Sequence, residues 1–351
     1  MSISHFTPEI RDFLETTGHK FTRASKLKGD MSTRQFWRLY DVREVSVVLM
    51  ISLPEHHPNY AQGHSHNDYV RISQRLQKNG LRVPHIIQED AELCLCLVED
   101  IGDMTYTKCL EEGISNDILT SLAGRALQDL RDVDCQDLPD FMTSHVFKGH
   151  RRFVDWFYPV LKKEKISDPL ISEFIQIWRD IFQSLPKIQN TFLHADYHFG
   201  NLMWNSQNEE LPVLLDFQGA MQGPAAYDLA NLLQDARRDV SSELHEIIYK
   251  SYLDTLSGQE LESFELWYPV LATQFHCRVI GQFIKLALNT GNKSYLKHLP
   301  RLAARIDNNI RQNETLDSLK KWMDAQSISL AAAQDITCED ILPGNIREDA
   351  F

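Results

Sequence analysis

The segment FLHADYHFGNLMWNSQNEELPVLLDFQGA, residues 192–220, places two Asp and one Asn at fixed spacing within apolar, strand-like sequence. Two short strands, NLMW and PVLLDF, flank a polar turn and therefore predict a hairpin. The hairpin would carry Asn201 at its start and Asp216 at its far end, with Asp196 in the loop just before it. The sequence thus predicts that three oxygen-bearing side chains converge on one small volume.

Such a cluster suits a hard divalent cation. Mg²⁺ prefers oxygen ligands and keeps waters and substrate phosphates in its shell, so one carboxylate and one amide are a typical share from the protein. We therefore expect Asn201 and Asp216 to ligate Mg²⁺, and Asp196 to accept a proton from an attacking hydroxyl or to orient it. Kinases divide these roles in the same way. His194 and Asp228 are expected to support the loop structurally.

Length and composition restrict the class of protein. A chain of 351 residues exceeds the usual single domain, so two lobes are expected. Hydrophobic residues make up 43% and charged residues 24%, and no apolar run approaches the roughly 20 residues that cross a bilayer. The first residues lack the pattern of a secretory signal, so a cytoplasmic location without membrane association is expected. A net charge of −13 argues against nucleic acid as a partner.

Periodicity along the chain predicts an α+β protein. Residues 1–101 show several strand patterns around a single helix, which predicts a small N-terminal mixed β-sheet lobe. Residues 102–351 show mostly helical periodicity, which predicts a larger C-terminal lobe that contains the catalytic loop and the metal site. Residues 325–351 lose hydrophobic density, so we expect a loosely held tail there.

The segment 192–235 resembles the aminoglycoside phosphotransferase superfamily, which is related to choline kinases and protein kinases. More narrowly, the chain is similar to bacterial anomeric sugar kinases that phosphorylate N-acetylmuramate and N-acetylglucosamine at C1 in cell-wall recycling. The narrower resemblance rests on GDMSTRQFWRL, LVEDIGDMTY, LLDFQGAMQGPAAYDLANLLQDA and QFHCRVIGQFIKLALNTGNKSYLKHLPR. These segments spread over most of residues 25–305 in the family's order. The resemblance implies a protein-kinase-like two-lobed fold that uses ATP and Mg²⁺.

The resemblance also implies roles for individual residues. Asp196 would be the catalytic base, and Asn201 and Asp216 would be the magnesium ligands. The nucleotide would lie beneath a hairpin turn, and its adenine would lie against a hinge segment. These nucleotide-binding positions are Gly29, Ser32, Thr33 and Arg34 in the turn, and Val98, Glu99 and Asp100 in the hinge; the acceptor positions are Arg278, His276 and Gln218.

Two departures from related kinases stand out. Ala195 lies between His194 and Asp196, where relatives often have Arg. The strand VSVVLMISLP, residues 45–54, has no Lys to hold the α- and β-phosphates, and the helix after it has no Glu to pair with such a Lys. Arg34 matches an Arg-bearing position of the similar sugar kinases and is therefore the expected phosphate clamp. The alternative for Arg34 is a solvated turn residue.

The acceptor is less well defined by sequence. His276 and Arg278 lie two residues apart on a predicted helix and point about 200° from one another, so both are not expected to face one ligand. A guanidinium can hold a carboxylate or carbonyl of an acetylated sugar, which favours Arg278; a buried salt bridge is its alternative. We expect an amino-sugar kinase acting on a small molecule. Alternatives are a kinase for an aminoglycoside, choline or an amino acid, and a nucleotide-binding pseudokinase; the oligomeric state stays open.

Overall fold

A computed structural model describes residues 2–27, 34–60, 65–204 and 211–350. The chain divides into two compact units. The first runs to Val133 and also takes in His194–Ala220, whereas the second takes in Asp134–Leu193 and continues from Met221. These units differ from the lobes expected at 1–101 and 102–351, whose boundary stays a prediction. Among the described residues, no helix is long and apolar enough to cross a membrane.

Within the residues that the structure describes, nine short strands form one five-stranded sheet and two small pairs. In the larger sheet the strand order is β1-β2-β3-β5-β4, and every pairing is antiparallel. The α+β fold class is confirmed, but the sheet is antiparallel throughout and not mixed. The strands are β1 Phe21–Lys26, β2 Gln35–Asp41, β3 Ser46–Ile51, β4 Ile86–Asp90, β5 Leu95–Glu99, β6 Thr191–Leu193, β7 Leu202–Met203, β8 Val213–Leu214 and β9 Met221–Gly223.

Helices make up most of the remaining structure. Periodicity over residues 68–78 predicts a helix, and the structure has one that begins at His66; the hydroxyl of its N-cap Ser65 accepts a hydrogen bond from the Asp68 amide. The helices are α1 Pro8–Thr16, α2 His66–Lys78, α3 Tyr106–Glu111, α4 Asn116–Arg131, α5 Phe147–Gly149, α6 Tyr158–Lys162, α7 Asp168–Ser184, α8 Ala226–Leu233, α9 Ser242–Leu253, α10 Gly258–Thr290, α11 Leu299–Gln312 and α12 Asp317–Ala325.

The core of the five-stranded sheet lies on the face that α1 covers. Ala24, Leu39 and Leu49 are fully buried there, and they pack with Phe13 and Leu14 of the helix. Alternate residues of a strand point to one face, so these side chains form a continuous apolar layer. The sequence prediction of a single helix beside the sheet therefore missed α1, although Pro8 at its first position is a common start signal.

The second unit is mainly helical, with two differences from the predicted pattern. Periodicity over residues 145–163 predicts one helix, but π-helical turns at Met142–Val146 and Phe153–Phe157 interrupt this segment. Periodicity over residues 294–323 also predicts one helix, but this segment is divided into a 3₁₀ turn, Lys293–His298, followed by α11 and α12. Periodicity alone does not show such a change of helix type.

The segment after α12 is ordered against the second unit. Leu330, Ala333 and Ile346 are buried, and the Arg347 side chain donates a hydrogen bond to the Ile166 carbonyl at 3.5 Å. The expectation of a loosely held tail is therefore wrong. A few well-spaced apolar side chains are enough to dock this segment, even though its average hydrophobic density is low.

Candidate functional site

The predicted hairpin is present in the first unit. Strands β7 and β8 pair antiparallel, with Leu202 opposite Leu214. Beyond this pair, the Leu215 amide donates a hydrogen bond to the Asn201 carbonyl at 2.9 Å. The hairpin therefore sets Asn201 beside the residue that directly precedes Asp216, because β7 and β8 hold the two chain segments in register.

Asn201 is bonded to Asp196. Its Nδ2 atom donates to the Asp196 carbonyl oxygen at 3.0 Å and to the Asp196 carboxylate oxygen Oδ2 at 3.1 Å. The amide oxygen Oδ1 is then the atom through which Asn201 can ligate a cation. The Asp196 side chain is 60% exposed, so a hydroxyl compound can reach its carboxylate.

His198 also faces Asp196, a contact that the sequence analysis did not identify. Its Nδ1 accepts a hydrogen bond from the Gly200 amide at 3.0 Å, and its Nε2 lies 3.6 Å from Asp196 Oδ2. Since Nδ1 is an acceptor, the ring proton of the neutral form is on Nε2, directed toward the carboxylate. The sequence signal for this contact is that His198 follows Asp196 by two positions.

His194 links the loop to the hairpin. The ring is 1% exposed, and its Nε2 lies 2.8 Å from the Leu215 carbonyl oxygen. Burial lowers the pKa of His194, although the charge of Asp196 opposes the shift. The neutral ring can donate from Nε2 to that carbonyl, which fits the bracing role expected from the sequence.

The backbone is strained at two positions of this site. Ala195 has φ 67° and Asp216 has φ 58°, which is the left-handed region that residues with a Cβ rarely adopt. Each such residue costs on the order of 1–3 kcal/mol and is retained where the surrounding structure fixes it. The strain therefore falls immediately before Asp196 and at Asp216 itself, the two carboxylates predicted to act on substrate and metal.

Two donors converge on one oxygen of Asp216. Arg34 Nη2 donates to Asp216 Oδ1 at 2.6 Å, and Gln218 Nε2 donates to the same oxygen at 2.8 Å. The Arg34 side chain is 4% exposed, so the alternative of a solvated turn residue is wrong. Within the described residues no hydrogen bond reaches Oδ2, the second carboxylate oxygen. Sequence reasoning missed the bond from Gln218, whose expected contact with the acceptor stays a prediction.

A stacked aromatic pair supports the residues after Asp216. Tyr69 of α2 lies against Phe217 with ring centroids 5.0 Å apart and planes at 26°. Both rings are buried, and burial raises the pKa of Tyr69. Helix α2 therefore contacts the segment that follows Asp216 through an aromatic ring and not through a Glu, which its sequence lacks.

The predicted nucleotide-binding residues are only partly described. Gly29, Ser32 and Thr33 lie outside the described residues. In the hinge, Val98 is buried and Glu99 forms an ion pair with Arg82.

The Asp100 carboxylate accepts hydrogen bonds from Arg38 Nη2 at 3.0 Å and from Ser46 Oγ at 2.7 Å. The Glu99 and Asp100 carboxylates thus have protein partners, which leaves backbone groups of the hinge as the better donors and acceptors for an adenine.

The predicted acceptor residues on α10 differ in burial. His276 is fully buried, its Nε2 lies 3.1 Å from Gln234 Oε1, and burial lowers its pKa well below the usual value. We correct its expected role: it is a core residue, because it presents no surface to a ligand. Arg278 is half-buried and donates from Nη2 to the Tyr227 hydroxyl at 2.8 Å.

Arg278 has no carboxylate within ion-pair distance in the part of the chain that the structure describes, so its salt-bridge alternative is wrong. Asp228 lies in the first turn of α8 and is 2% exposed. Its expected supporting role stays a prediction.

The donor set fits a cation that shares its shell with a substrate. No group of three or more His, Cys, Asp and Glu side chains suited to a metal occurs within the described ranges. Asp216 Oδ2 and Asn201 Oδ1 instead offer one carboxylate and one amide oxygen, which is the share that Mg²⁺ takes when phosphates and waters complete its octahedral shell.

Comparisons with known proteins agree with this geometry. A family model described as phosphotransferase enzyme family matches residues 23–267. The N-acetylmuramate/N-acetylglucosamine kinase of Caulobacter vibrioides is 27% identical over 347 residues, covering 89% of this chain and 94% of that protein. The protein of the same name from Pseudomonas aeruginosa is 26% identical over 261 residues, covering 72% and 75%.

A solved structure confirms the kinase-like fold. The ADP-bound aminoglycoside phosphotransferase APH(2'')-Ib matches with a TM-score of 0.55 at 13% identity, covering 86% of this chain and 97% of that one. The family model covers well over half of the chain, and the prediction of a phosphotransferase is thereby confirmed. This chain belongs to the phosphotransferase enzyme family.

Proposed function

We propose that this phosphotransferase is an ATP-dependent amino-sugar kinase that phosphorylates the anomeric hydroxyl of N-acetylmuramate or N-acetylglucosamine. The names of three similar relatives, at 24–27% identity, support this acceptor. The observation that carries the kinase chemistry is the bond from Asn201 to Asp196 beside the Asp216 carboxylate. Because ATP is the proposed donor, the proposed location is the cytoplasm. The proposed role in cell-wall recycling follows from the two acceptor sugars.

Asp196 has the geometry of the group that meets the acceptor hydroxyl. Asn201 fixes its carboxylate from one side, and His198 faces the same oxygen from 3.6 Å. A carboxylate held in this way can orient a hydroxyl and accept its proton as the oxygen attacks phosphorus.

Asp216 and Asn201 would hold Mg²⁺, which when bound supplies positive charge to the phosphoryl oxygens of ATP. Arg34 and Gln218 keep the Asp216 carboxylate in one orientation through their shared contact with Oδ1. Because Oδ1 already accepts these two hydrogen bonds, Oδ2 is the oxygen of Asp216 that would bind the metal. A carboxylate that is oriented before the substrates bind would favour catalysis, because enzymes that transfer phosphoryl groups act almost entirely by alignment and charge stabilisation.

Arg34 is also the proposed replacement for the missing strand Lys. A guanidinium carries five N–H donors in a planar fork, so a bond to Asp216 is compatible with a second bond to a phosphate. Arg34 lies directly before β2, next to β3 where related kinases carry their Lys. We propose that Gly29, Ser32 and Thr33 complete the phosphate-binding turn and that the backbone of Val98, Glu99 and Asp100 meets the adenine.

A substrate panel tests the proposed function. The protein is incubated with ATP, Mg²⁺ and one of N-acetylmuramate, N-acetylglucosamine, an aminoglycoside or choline, and the product is identified by ³¹P NMR. We expect a phosphate on the anomeric oxygen of the two amino sugars. Transfer to the aminoglycoside or to choline in place of the amino sugars would contradict the acceptor, and absence of ATP consumption with every compound would contradict the kinase assignment.

A further inference from the structure

A cleft in the second unit lies between three helices, α9, α10 and α11. It has a volume of about 760 Å³, and its lining residues all belong to this unit. On α9 the lining residues Ser242, His245 and Tyr249 recur at helical spacing, so one face of the helix forms a wall. The volume falls within the roughly 300–1,000 Å³ of sites that hold small molecules. The cleft shares no residue with the site around Asp196.

Arg305 of α11 lines this cleft without a protein partner. Its Nε atom is buried, and no hydrogen bond or ion pair reaches the side chain within the described residues. A half-buried guanidinium in this state is unfavourable, because it has lost part of its hydration and gains no partner in return.

The carboxylates nearest in charge to Arg305 are already paired. Asp239 and Asp235 are the carboxylates that act on it, whereas burial lowers its pKa. Arg301 donates to both oxygens of Asp239, from Nε at 2.7 Å and from Nη2 at 2.6 Å. Arg238 Nε lies 3.3 Å from Asp235 Oδ2. Arg301, Arg238 and Arg305 therefore share two carboxylates, which leaves the charge of Arg305 uncompensated.

Three aromatic rings line another part of the cleft. The Tyr249 ring lies 4.8 Å from that of Tyr268 and 5.9 Å from that of His245, measured between centroids. Burial, and next the charge of Arg305, lower the pKa of His245, which favours its neutral form. Tyr249 and His245 are half-buried, so part of each ring is open to the cleft. Glu265 also lines the cleft, but it is exposed and its charge acts on Tyr249.

A cation beside aromatic rings fits one class of ligand. A guanidinium offers parallel N–H donors in a planar fork, which match two oxygens of a carboxylate or phosphate group. Aromatic side chains favour a ring packed against them, either offset and parallel or edge to face. A free inorganic anion would fill only a small part of about 760 Å³, so the volume favours an organic ligand.

We propose that the cleft between α9, α10 and α11 binds a small organic anion whose carboxylate or phosphate group pairs with Arg305 and whose ring packs against Tyr249. The bound anion supplies the counter-charge that the protein does not. The inference goes beyond the proposed function, because it rests on residues of the second unit alone and requires neither the sugar nor the nucleotide.

Ligand-detected NMR titrations of the full chain with simple probes test this site. Phenyl phosphate and benzoate carry the two kinds of anionic group on a ring, benzyl alcohol is a neutral ring, and inorganic phosphate is an anion without a ring. The proteins are the wild type, Arg305→Gln, Tyr249→Leu and Arg311→Gln. Arg311→Gln is the matched control, because it removes the same charge from an exposed position of α11 outside the cleft.

We expect the wild type to bind phenyl phosphate or benzoate more tightly than benzyl alcohol and inorganic phosphate, and the tighter of the two identifies the anionic group. Arg305→Gln should weaken this binding by about tenfold or more, because a hydrogen bond between charged groups is lost. Tyr249→Leu should weaken it by about threefold or more, and Arg311→Gln should leave it unchanged. Absence of binding by the wild type, or equal affinity in Arg305→Gln, overturns the inference.

Thermal unfolding without ligand distinguishes a binding role of Arg305 from a structural one. Arg305→Gln should keep or raise the melting temperature, since it removes an uncompensated, half-buried charge. Arg238→Gln should lower it, because the buried Asp235 then loses its guanidinium partner. If the melting temperature of Arg305→Gln falls as far as that of Arg238→Gln, Arg305 is a structural residue and the inference is overturned.

Discussion

Arg34 and Asp216, which lie 182 positions apart in the chain, are joined by a 2.6 Å hydrogen bond from Nη2 to Oδ1. The strand that carries a Lys in related kinases has none here, and α2 has no Glu. A buried guanidinium directly before β2 therefore supplies the positive charge beside the expected metal ligand. We propose that this ion pair replaces the Lys–Glu pair of related kinases, because Arg34 fixes the Asp216 carboxylate and would also place a cation near the phosphates.

The first prediction concerns this guanidinium. Arg34→Ala should weaken ATP binding by roughly 1.5–3 kcal/mol, the usual value for a hydrogen bond to a charged group, and should change adenosine binding little. Lys26→Ala is the control, because Lys26 is exposed and lies over the Trp37 ring. Calorimetry with ATP and adenosine measures both effects. Equal losses for the two ligands, or no loss, would show that Arg34 does not act on the phosphates.

The second prediction concerns the metal ligands. Asp216→Ala should abolish the Mg²⁺-dependent part of ATP binding, because the carboxylate is the anionic ligand that the protein offers. Asn201→Ala should reduce it less, since an amide oxygen is neutral. Titrations of ATP with and without Mg²⁺ measure this part. A wild-type protein that binds ATP with the same affinity in both conditions would rule out both assignments.

The third prediction concerns pH and stability. Burial lowers the pKa of several histidines, so the unfolded chain takes up protons at a higher pH than the folded chain does. The stabilisation is complete above the unfolded value, about 6.5, and is lost as the pH falls toward the lowered folded values. The histidines with lowered pKa are His150, His194, His245, His276 and His298.

Urea unfolding at pH 7.5 and 5.5 measures this effect, and His276→Gln isolates one contribution. We expect the free energy of unfolding to fall at the lower pH and to fall less in the variant, because a Gln at position 276 takes up no proton. A stability that rises on acidification between these values, or an identical pH dependence in the variant, would contradict the assignment of neutral buried histidines.

The fourth prediction concerns the C-terminal segment. Ile346 is 2% exposed, so Ile346→Ala should lower the free energy of unfolding by about 2–5 kcal/mol. Leu342 lies four residues earlier and is 46% exposed, so Leu342→Ala should stay within about 0.5 kcal/mol of the wild type. Denaturant unfolding compares the two. Equal, small effects would mean that the segment does not contribute to the packed core.

The hairpin at Asn201 and Asp216 was predictable because its strands, turn and polar ends lie within 30 residues of sequence. The bond from Arg34 was not, since Arg34 and Asp216 meet only after the sheet and the hairpin have both formed. Local patterns report local structure, whereas pairs distant in sequence are set by tertiary packing.

Other differences have simpler causes. The sequence prediction did not include helix α1, although Pro8 at its first position is a start signal. The resemblance to sugar kinases placed His276 in a segment expected to wall the acceptor site, but its bond to Gln234 and its full burial make it part of the core. An expected site residue therefore has to be weighed against burial, which a single sequence does not show.

The central claim is that Asp196 acts on the acceptor hydroxyl while Asn201 and Asp216 hold the metal and nucleotide. Turnover and ATP affinity of Asp196→Asn test it most directly, in the presence of Mg²⁺ and N-acetylmuramate. The account predicts that turnover falls by a factor on the order of 10² or more and that the Kd for ATP stays close to that of the wild type. A variant that keeps most of its turnover would contradict the assignment of Asp196.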